Sequence, residues 1–250
     1  MISERVLASQ FQSLWGEVLP LLTPSFVRVF NEAFEDDLSL YPGSMNLKKI
    51  DISPRVEKHD LVAEFAFQLA KESKKRNVPA VKLKSSTEIV NSVFREAICF
   101  LKHYDQGIVD DLLNSEEVAE SYLLAYQYEK YLNKIDATKI EFSPKIVGAG
   151  FMNKCYADLS IDSTLYEVKT VSRNISGNDI RQLFIYLALQ ASEGNRKWTH
   201  AGFFNPRRAL AYRFSIDHFV YRTSGGKSTP EVFQSIVGFL SREIEFDTSF

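Results

Sequence analysis

Apolar residues recur at three- and four-residue intervals through the first half of the chain, and helices can be read from that rhythm. Val6, Phe11, Leu14, Trp15, Val18, Leu19 and Leu22 form one series, and Pro20 and Pro24 interrupt it before Phe26-Val27-Arg28-Val29-Phe30. This predicts two short helices. Polar residues with Pro42-Gly43 and Pro54 predict a loop-rich stretch over 35–60. Helical spacing returns over 61–76, through Leu61, Val62, Phe65 and Leu69, and over 87–103, through Ile89, Val93, Ile98, Phe100 and Leu101. A longer helix is expected from Ser115, read as its cap with Glu116 and Glu117 in the first turn, to about residue 133.

The rhythm then changes. Segments 139–147, 155–161, 164–171, 198–204 and 210–216 are β-rich and of strand length. Helices are predicted over 178–193, capped at Ser176 or Asn178, and over 230–242. The order from 115 onward is α-β-β-β-α-β-β-α. The expected fold class is therefore α/β, with a helical N-terminal region over 1–112 and a second region over 113–250 built on a mixed sheet flanked by helices.

Composition narrows the field. A chain of 250 residues with 45% hydrophobic residues can bury a sizeable core, which excludes a disordered or fibrous protein. No apolar run approaches the roughly 20 residues that cross a bilayer. Met1-Ile2-Ser3-Glu4-Arg5 lacks the pattern of a secretory signal, so a cytoplasmic chain with no membrane partner is expected. Cys99 and Cys155 are far apart, and His59, His103, His200 and His218 show no metal or triad spacing. There is no G-x-S-x-G for serine hydrolase chemistry. The net charge of −2 hides a division: residues 139–214 carry 11 Lys and Arg against 6 Asp and Glu, whereas 1–138 carry 16 against 21. A locally basic segment suits a polyanion such as nucleic acid, with Lys145, Lys154, Arg173, Arg181, Arg207 and Arg208 as the contact candidates.

The densest chemistry lies in Ala157-Asp158-Leu159-Ser160-Ile161-Asp162-Ser163-Thr164-Leu165-Tyr166-Glu167-Val168-Lys169. A hairpin turning at Asp162-Ser163 pairs 161 with 164, 160 with 165 and 158 with 167. Asp158 then stands opposite Glu167, and Lys169 shares their face, while Leu159, Ile161, Tyr166 and Val168 line the other. Facing carboxylates repel unless something neutralises them. A divalent cation would do so, and Mg²⁺ or Mn²⁺ suits two carboxylate ligands while keeping waters that could attack a phosphodiester. Lys169 could orient or deprotonate such a water, or stabilise charge on the phosphate. A solvated ion-pair network of the same three residues is the alternative.

Asp158-x8-Glu167-Val168-Lys169 resembles the signature of the PD-(D/E)XK nuclease superfamily. Gln182 and Tyr186, at i and i+4 on the following helix, resemble the Q-x3-Y element of its RecB-like branch. The resemblance covers about residues 115–216, and Ala157 departs from it where many members have proline. It implies a restriction-endonuclease-like αβββαβ core with Asp158 and Glu167 as metal ligands. The Val168 carbonyl would complete the site, Lys169 would assist the water, and Gln182 and Tyr186 would steady the site or touch the nucleic-acid backbone. The implied activity is a Mg²⁺- or Mn²⁺-dependent nuclease, with DNA ahead of RNA, of the kind used in restriction, phage defence or repair. A non-cleaving nucleic-acid-binding or scaffolding subunit is the alternative. Glu129 resembles the glutamate that many members add from the helix before the sheet, with Glu120 as competitor and a surface ion pair with Lys130 or Lys134 as the plain alternative.

Two further motifs are set aside. The segment from Tyr221 to Ser228 has tyrosine where a phosphate-binding loop needs its first glycine, and Gly148-Ala149-Gly150 leads into a strand, so it reads as a turn. Residues 1–112 carry no clustered catalytic types. They are expected to dock a protein partner or a second copy, or else to pad the sheet.

Overall fold

The computed structural model describes residues 2–36, 49–52, 55–104, 112–194 and 196–247. The loop expected around Pro42-Gly43, Pro54 and the stretch 105–111 before the expected boundary lie outside the described residues. The chain begins with helices α1 (Glu4–Gln10), α2 (Gln12–Val18) and α3 (Pro24–Asp36). The first apolar series is thus split at Phe11, where φ is −89° and ψ is 66°. The bend brings the Trp15 indole N–H onto the Leu7 carbonyl at 2.8 Å, and Leu7, Leu14, Trp15 and Val18 are all buried by it.

Helices α4 (His59–Arg76), α5 (Ala80–Leu83), α6 (Thr87–Tyr104) and α7 (Ser115–Lys134) follow. Asn114, not Ser115, caps α7. Its side chain accepts from the Glu117 N–H at 2.9 Å, and the Glu117 carboxylate accepts from the Asn114 N–H at 2.8 Å.

Next come β1 (Ile140–Phe142), β2 (Lys145–Ile146), β3 (Cys155–Tyr156), β4 (Leu159–Ile161), β5 (Thr164–Val168), α8 (Gly177–Ala191), β6 (His200–Asn205), β7 (Leu210–Ser215), α9 (Ile216–Thr223) and α10 (Thr229–Asp247). Two expected strands are each cut in two. Ser143, at φ 52°, and Pro144 end β1, while Ala157-Asp158 separate β3 from β4. Hydrogen bonds from the Ser143 N–H to the Asp158 carbonyl (2.8 Å) and from the Ala157 N–H to the Pro144 carbonyl (3.1 Å) bend the ladder without breaking the chain contact. Helix α9 is missing from the sequence-based order, because its apolar residues Ile216, Phe219 and Val220 span little more than one turn.

The main sheet runs β1-β4-β5-β6-β7, antiparallel except for β5–β6, whose parallel pairing is reached through the crossover helix α8. The β4–β5 register pairs Leu159 with Tyr166, Ser160 with Leu165 and Ile161 with Thr164, as the hairpin reading expects, but the ladder ends there, one step short of the expected pair of Asp158 with Glu167. Both faces are covered. Leu159, Ile161, Tyr166 and Phe204 pack against Phe65 and Leu69 of α4 and Tyr128 and Tyr131 of α7. Tyr131 stacks on Phe204 with ring centroids 4.5 Å apart. Leu165, Ala201 and Phe203 pack against Leu7, Trp15, Phe184 and Ile236 of α1, α2, α8 and α10. Gly202 is required where it stands, since a Cβ there would lie 2.5 Å from the Tyr166 ring and 2.2 Å from the Tyr212 carbonyl oxygen. Among the described residues no helix is long and apolar enough to cross a membrane.

The packing does not divide at 112/113. The N-terminal helices supply side chains to both cores, with α1, α2 and α3 on one face of the sheet and α4 and α6 on the other. A fragment starting at residue 113 would expose both faces to water. It is expected to be insoluble or to lack a cooperative melt by circular dichroism, whereas a soluble fragment with a sharp transition would restore the two-region division.

Candidate active site

The broken ladder places the chemistry. Asp158 sits in the gap between β3 and β4, and its Oδ2 accepts from the Val168 N–H at 2.7 Å, which holds the carboxylate against the end of β5. Glu167 lies one residue before the end of β5 with its side chain buried, and Lys169 lies just beyond, its own N–H donating to the Phe204 carbonyl at 2.9 Å. The Lys169 ammonium donates to Glu167 Oε1 at 2.7 Å and to Gln182 Oε1 at 2.9 Å, and lies 3.6 Å from Asp179 Oδ1. Gln182 Nε2 donates to the Tyr186 hydroxyl at 2.9 Å, and that hydroxyl donates to Glu4 Oε1 at 3.3 Å. A continuous polar chain therefore runs from the hairpin through α8 to α1.

Helix α8 is set by Ser176, whose hydroxyl accepts from the Asp179 N–H while Asp179 Oδ2 accepts from the Ser176 N–H. Asp179 is also gripped by Arg173 through bonds of 2.6 and 3.1 Å. Burial raises the Asp179 pKa, but Arg173 and Lys169 outweigh it and hold the carboxylate below its ordinary range. Just upstream, the Asn31 amide exchanges two hydrogen bonds with the backbone of Ile175, fastening the 170–176 segment to α3.

The electrostatics are those of a crowded carboxylate site. Burial pushes the Asp158 carboxyl up, against Lys169 and the Val168 N–H, and pushes Glu167 up further with the charge of Asp158 added. Glu167 Oε2 is buried without a hydrogen-bond partner among the described residues. Burial lowers the Lys169 pKa, yet Glu167, Asp179 and Asp158 more than reverse this, so it stays an ammonium. It can orient a water or stabilise anionic charge; it is poorly placed to take a proton. Gln182 and Tyr186 are buried, which suits steadying Lys169 and not touching a polymer backbone.

Asp158, Glu167, Lys169, Gln182 and Tyr186, with Val168, line one cleft of about 590 Å³. Two expected site residues do not. Glu129 faces away, accepting from the Ser73 hydroxyl at 2.6 Å and from the Ala80 N–H, where it satisfies the start of α5. Glu120 is buried against Arg207. Residue spacing alone placed both on α7, but the face of α7 toward the sheet carries Tyr128 and Tyr131. The glutamate that does line the cleft is Glu64 of α4, with Glu4, Arg5 and Asp60. Its signal in the sequence is a lone carboxylate inside the apolar run 61–67. Of the basic candidates, Arg207 is buried and unavailable, Arg173 is engaged by Asp179, and Arg208 by Asn174. Lys145 and Lys154 are exposed. Gly148 and Gly150 approach the chain's own backbone at Met152 and Leu240, so they hold a turn and not a phosphate.

Asp158, Glu167 and the Val168 carbonyl could hold a small divalent cation, and the orphaned Glu167 oxygen and the mutual repulsion of the pair suit one. Among the described residues no group of three or more His, Cys, Asp or Glu is disposed to hold a metal, so waters would fill the remaining positions.

Burial pushes the Glu64 carboxyl up to about 7, against a Gln68 hydrogen bond and the charges of Lys71 and Arg5. The folded protein thus holds this proton more tightly than the unfolded chain, whose carboxyl titrates near 4.5. Its contribution makes stability fall as pH rises from about 4.5 to about 7 and then level off. In EDTA, Glu64→Gln is expected to melt with wild type near the acid end and above it at about pH 8, by on the order of 1–3 kcal/mol. Coincident melting temperatures at both ends would refute the shift. Comparison of the chain with protein-family models gives no match, and comparison with curated proteins gives none, so the cleft's own chemistry carries the functional reading.

Proposed function

We propose that the protein is a metal-dependent nuclease that hydrolyses phosphodiester bonds, with DNA as the expected polymer. The observation that carries this reading is that Asp158 and Glu167 meet in one cleft at the sheet end, with a buried Glu167 oxygen lacking a hydrogen-bond partner among the described residues and Lys169 fixed beside it. Asp158, Glu167 and the Val168 carbonyl would hold Mg²⁺ or Mn²⁺, with Glu64 facing them across the cleft. A divalent cation there would supply Lewis-acid polarisation of a phosphoryl oxygen and would make water a stronger nucleophile at neutral pH. Lys169 directs its ammonium at the charge that develops on the phosphate, and Gln182 keeps it on that line. Tyr186, itself bonded to Glu4, in turn holds Gln182, and Glu167 with Asp179 and Asp158 keeps the ammonium charged. The order α7-β1-β4-β5-α8-β6 and the hairpin-plus-helix arrangement support the restriction-endonuclease-like comparison. The non-cleaving, nucleic-acid-binding alternative keeps the same residues without turnover.

Incubation with linear, circular and single-stranded substrates tests the reading. Cleavage is expected with Mg²⁺ or Mn²⁺ and not with EDTA. Glu167→Ala and Lys169→Ala should each lower it by about 10²- to 10³-fold or more while binding in Ca²⁺ stays within a few-fold. Unchanged cleavage by both variants would overturn the assignment, and metal-independent binding without cleavage would favour the alternative. The two glutamates separate cleanly. Glu129→Ala should lower stability by about 1–3 kcal/mol, through the lost Ser73 and Ala80 bonds, and leave cleavage intact. Glu64→Ala should lower cleavage without lowering stability at neutral to alkaline pH, as read from initial rates and melting curves.

A further inference from the structure

We propose that Arg5, carried by the N-terminal helix α1, binds a substrate phosphate in the cleft across from Lys169. The inference rests on the nuclease reading of that cleft and adds a residue from outside the hairpin and α8.

Arg5 lines the same cleft as Asp158, Glu167 and Lys169. A seven-residue helix is too short to persist alone, so its position must come from tertiary ties. Four are present. Ile2 bridges to Met152, the Glu4 carboxylate accepts from Tyr186, the Ala8 carbonyl accepts from Arg181, and the Leu7 carbonyl accepts from Trp15. These bury Glu4, Leu7 and Ala8 and leave Arg5 exposed at the cleft.

The other cations of the cleft are engaged. Lys169 donates to Glu167 and Gln182, and Arg173 grips Asp179. Among the described residues the Arg5 guanidinium makes no hydrogen bond and no ion pair, although Glu167, Tyr186, Glu4 and Asp158 act on it electrostatically. Its guanidinium is therefore close enough to feel the carboxylates and is not consumed by them. The cleft holds the six carboxylates of Glu4, Asp60, Glu64, Asp158, Glu167 and Asp179 against three cations. A polyanion needs a free cation there, and a guanidinium fork fits a phosphate bidentately.

The test uses the full chain. Binding of a short labelled oligonucleotide in Ca²⁺ is followed between about 50 and 200 mM salt, and cleavage is followed in Mg²⁺ or Mn²⁺. Arg5→Ala should reduce the logarithmic salt slope by about 1 and cleavage by on the order of 10²-fold. Arg5→Lys should recover the slope, because the charge returns, and only part of the rate, because the fork does not. Arg28→Ala, on the exposed side of α3, should change neither. If wild type cleaves and a folded Arg5→Ala matches it in rate and slope, the inference falls and the nuclease reading stands. If wild type cleaves nothing, the nuclease reading falls and the slope alone decides: a decrease near 1 keeps Arg5 as a phosphate ligand of a non-cleaving binder. In that non-cleaving case, no binding by wild type, or an unchanged slope, sinks the Arg5 inference as well.

Discussion

The Lys169 ammonium is the point on which the cleft depends. The half-buried Asp158 carboxylate and the buried Glu167 carboxylate oppose one another, and loss of water alone would drive protons onto both. One cation, held by Glu167 and Gln182 and 3.6 Å from Asp179, offsets part of that cost. Its position comes from three elements at once: the end of β5, the capped start of α8, and through Tyr186 and Glu4 the first turn of α1. Moving any of them would leave a charge buried without a partner, which costs several kcal/mol.

The surrounding architecture keeps those elements in register. The Arg207 guanidinium, buried with Glu120, also donates to the Thr170 carbonyl at 3.4 Å and the Asp51 carbonyl at 3.3 Å. The Asn31 amide clips Ile175 to α3. Between these two anchors runs the segment that leaves β5 with Lys169 and reaches α8 with Asp179. Neither anchor touches the cleft, yet each joins it to a helix from the first half of the chain or to α7.

That sharing explains why the N-terminal helices cannot be spectators. On one face Glu4 and Arg5 of α1 reach the cleft, and on the other Glu64 of α4 does. The sheet end is closed from both sides by residues that lie more than 90 positions away in sequence from Asp158. An acidic first half and a basic segment read from the sequence as separate surfaces. Folding interleaves them, so carboxylates from both halves meet Lys169, Arg173 and Arg5 in one pocket.

Local chemistry was legible where a single element carries it. The β4–β5 register follows from alternation and a turn at Asp162-Ser163, the Gln182–Tyr186 pair from helical spacing, and the long helices α4, α6 and α7 from their apolar rhythm. These are short-range constraints, and the chain between the partners is too short to satisfy them otherwise. What the pattern could not settle depends on which helix face meets which sheet face. Glu129 and Glu64 are both glutamates on helices beside apolar residues, and their sequences do not distinguish them. Only the docking of α7 through Tyr128 and Tyr131 turns Glu129 toward Ser73 and Ala80, and only the docking of α4 brings Glu64 to the sheet end. Side-chain identity determined what each residue could do; long-range burial of apolar surface decided which of them meet.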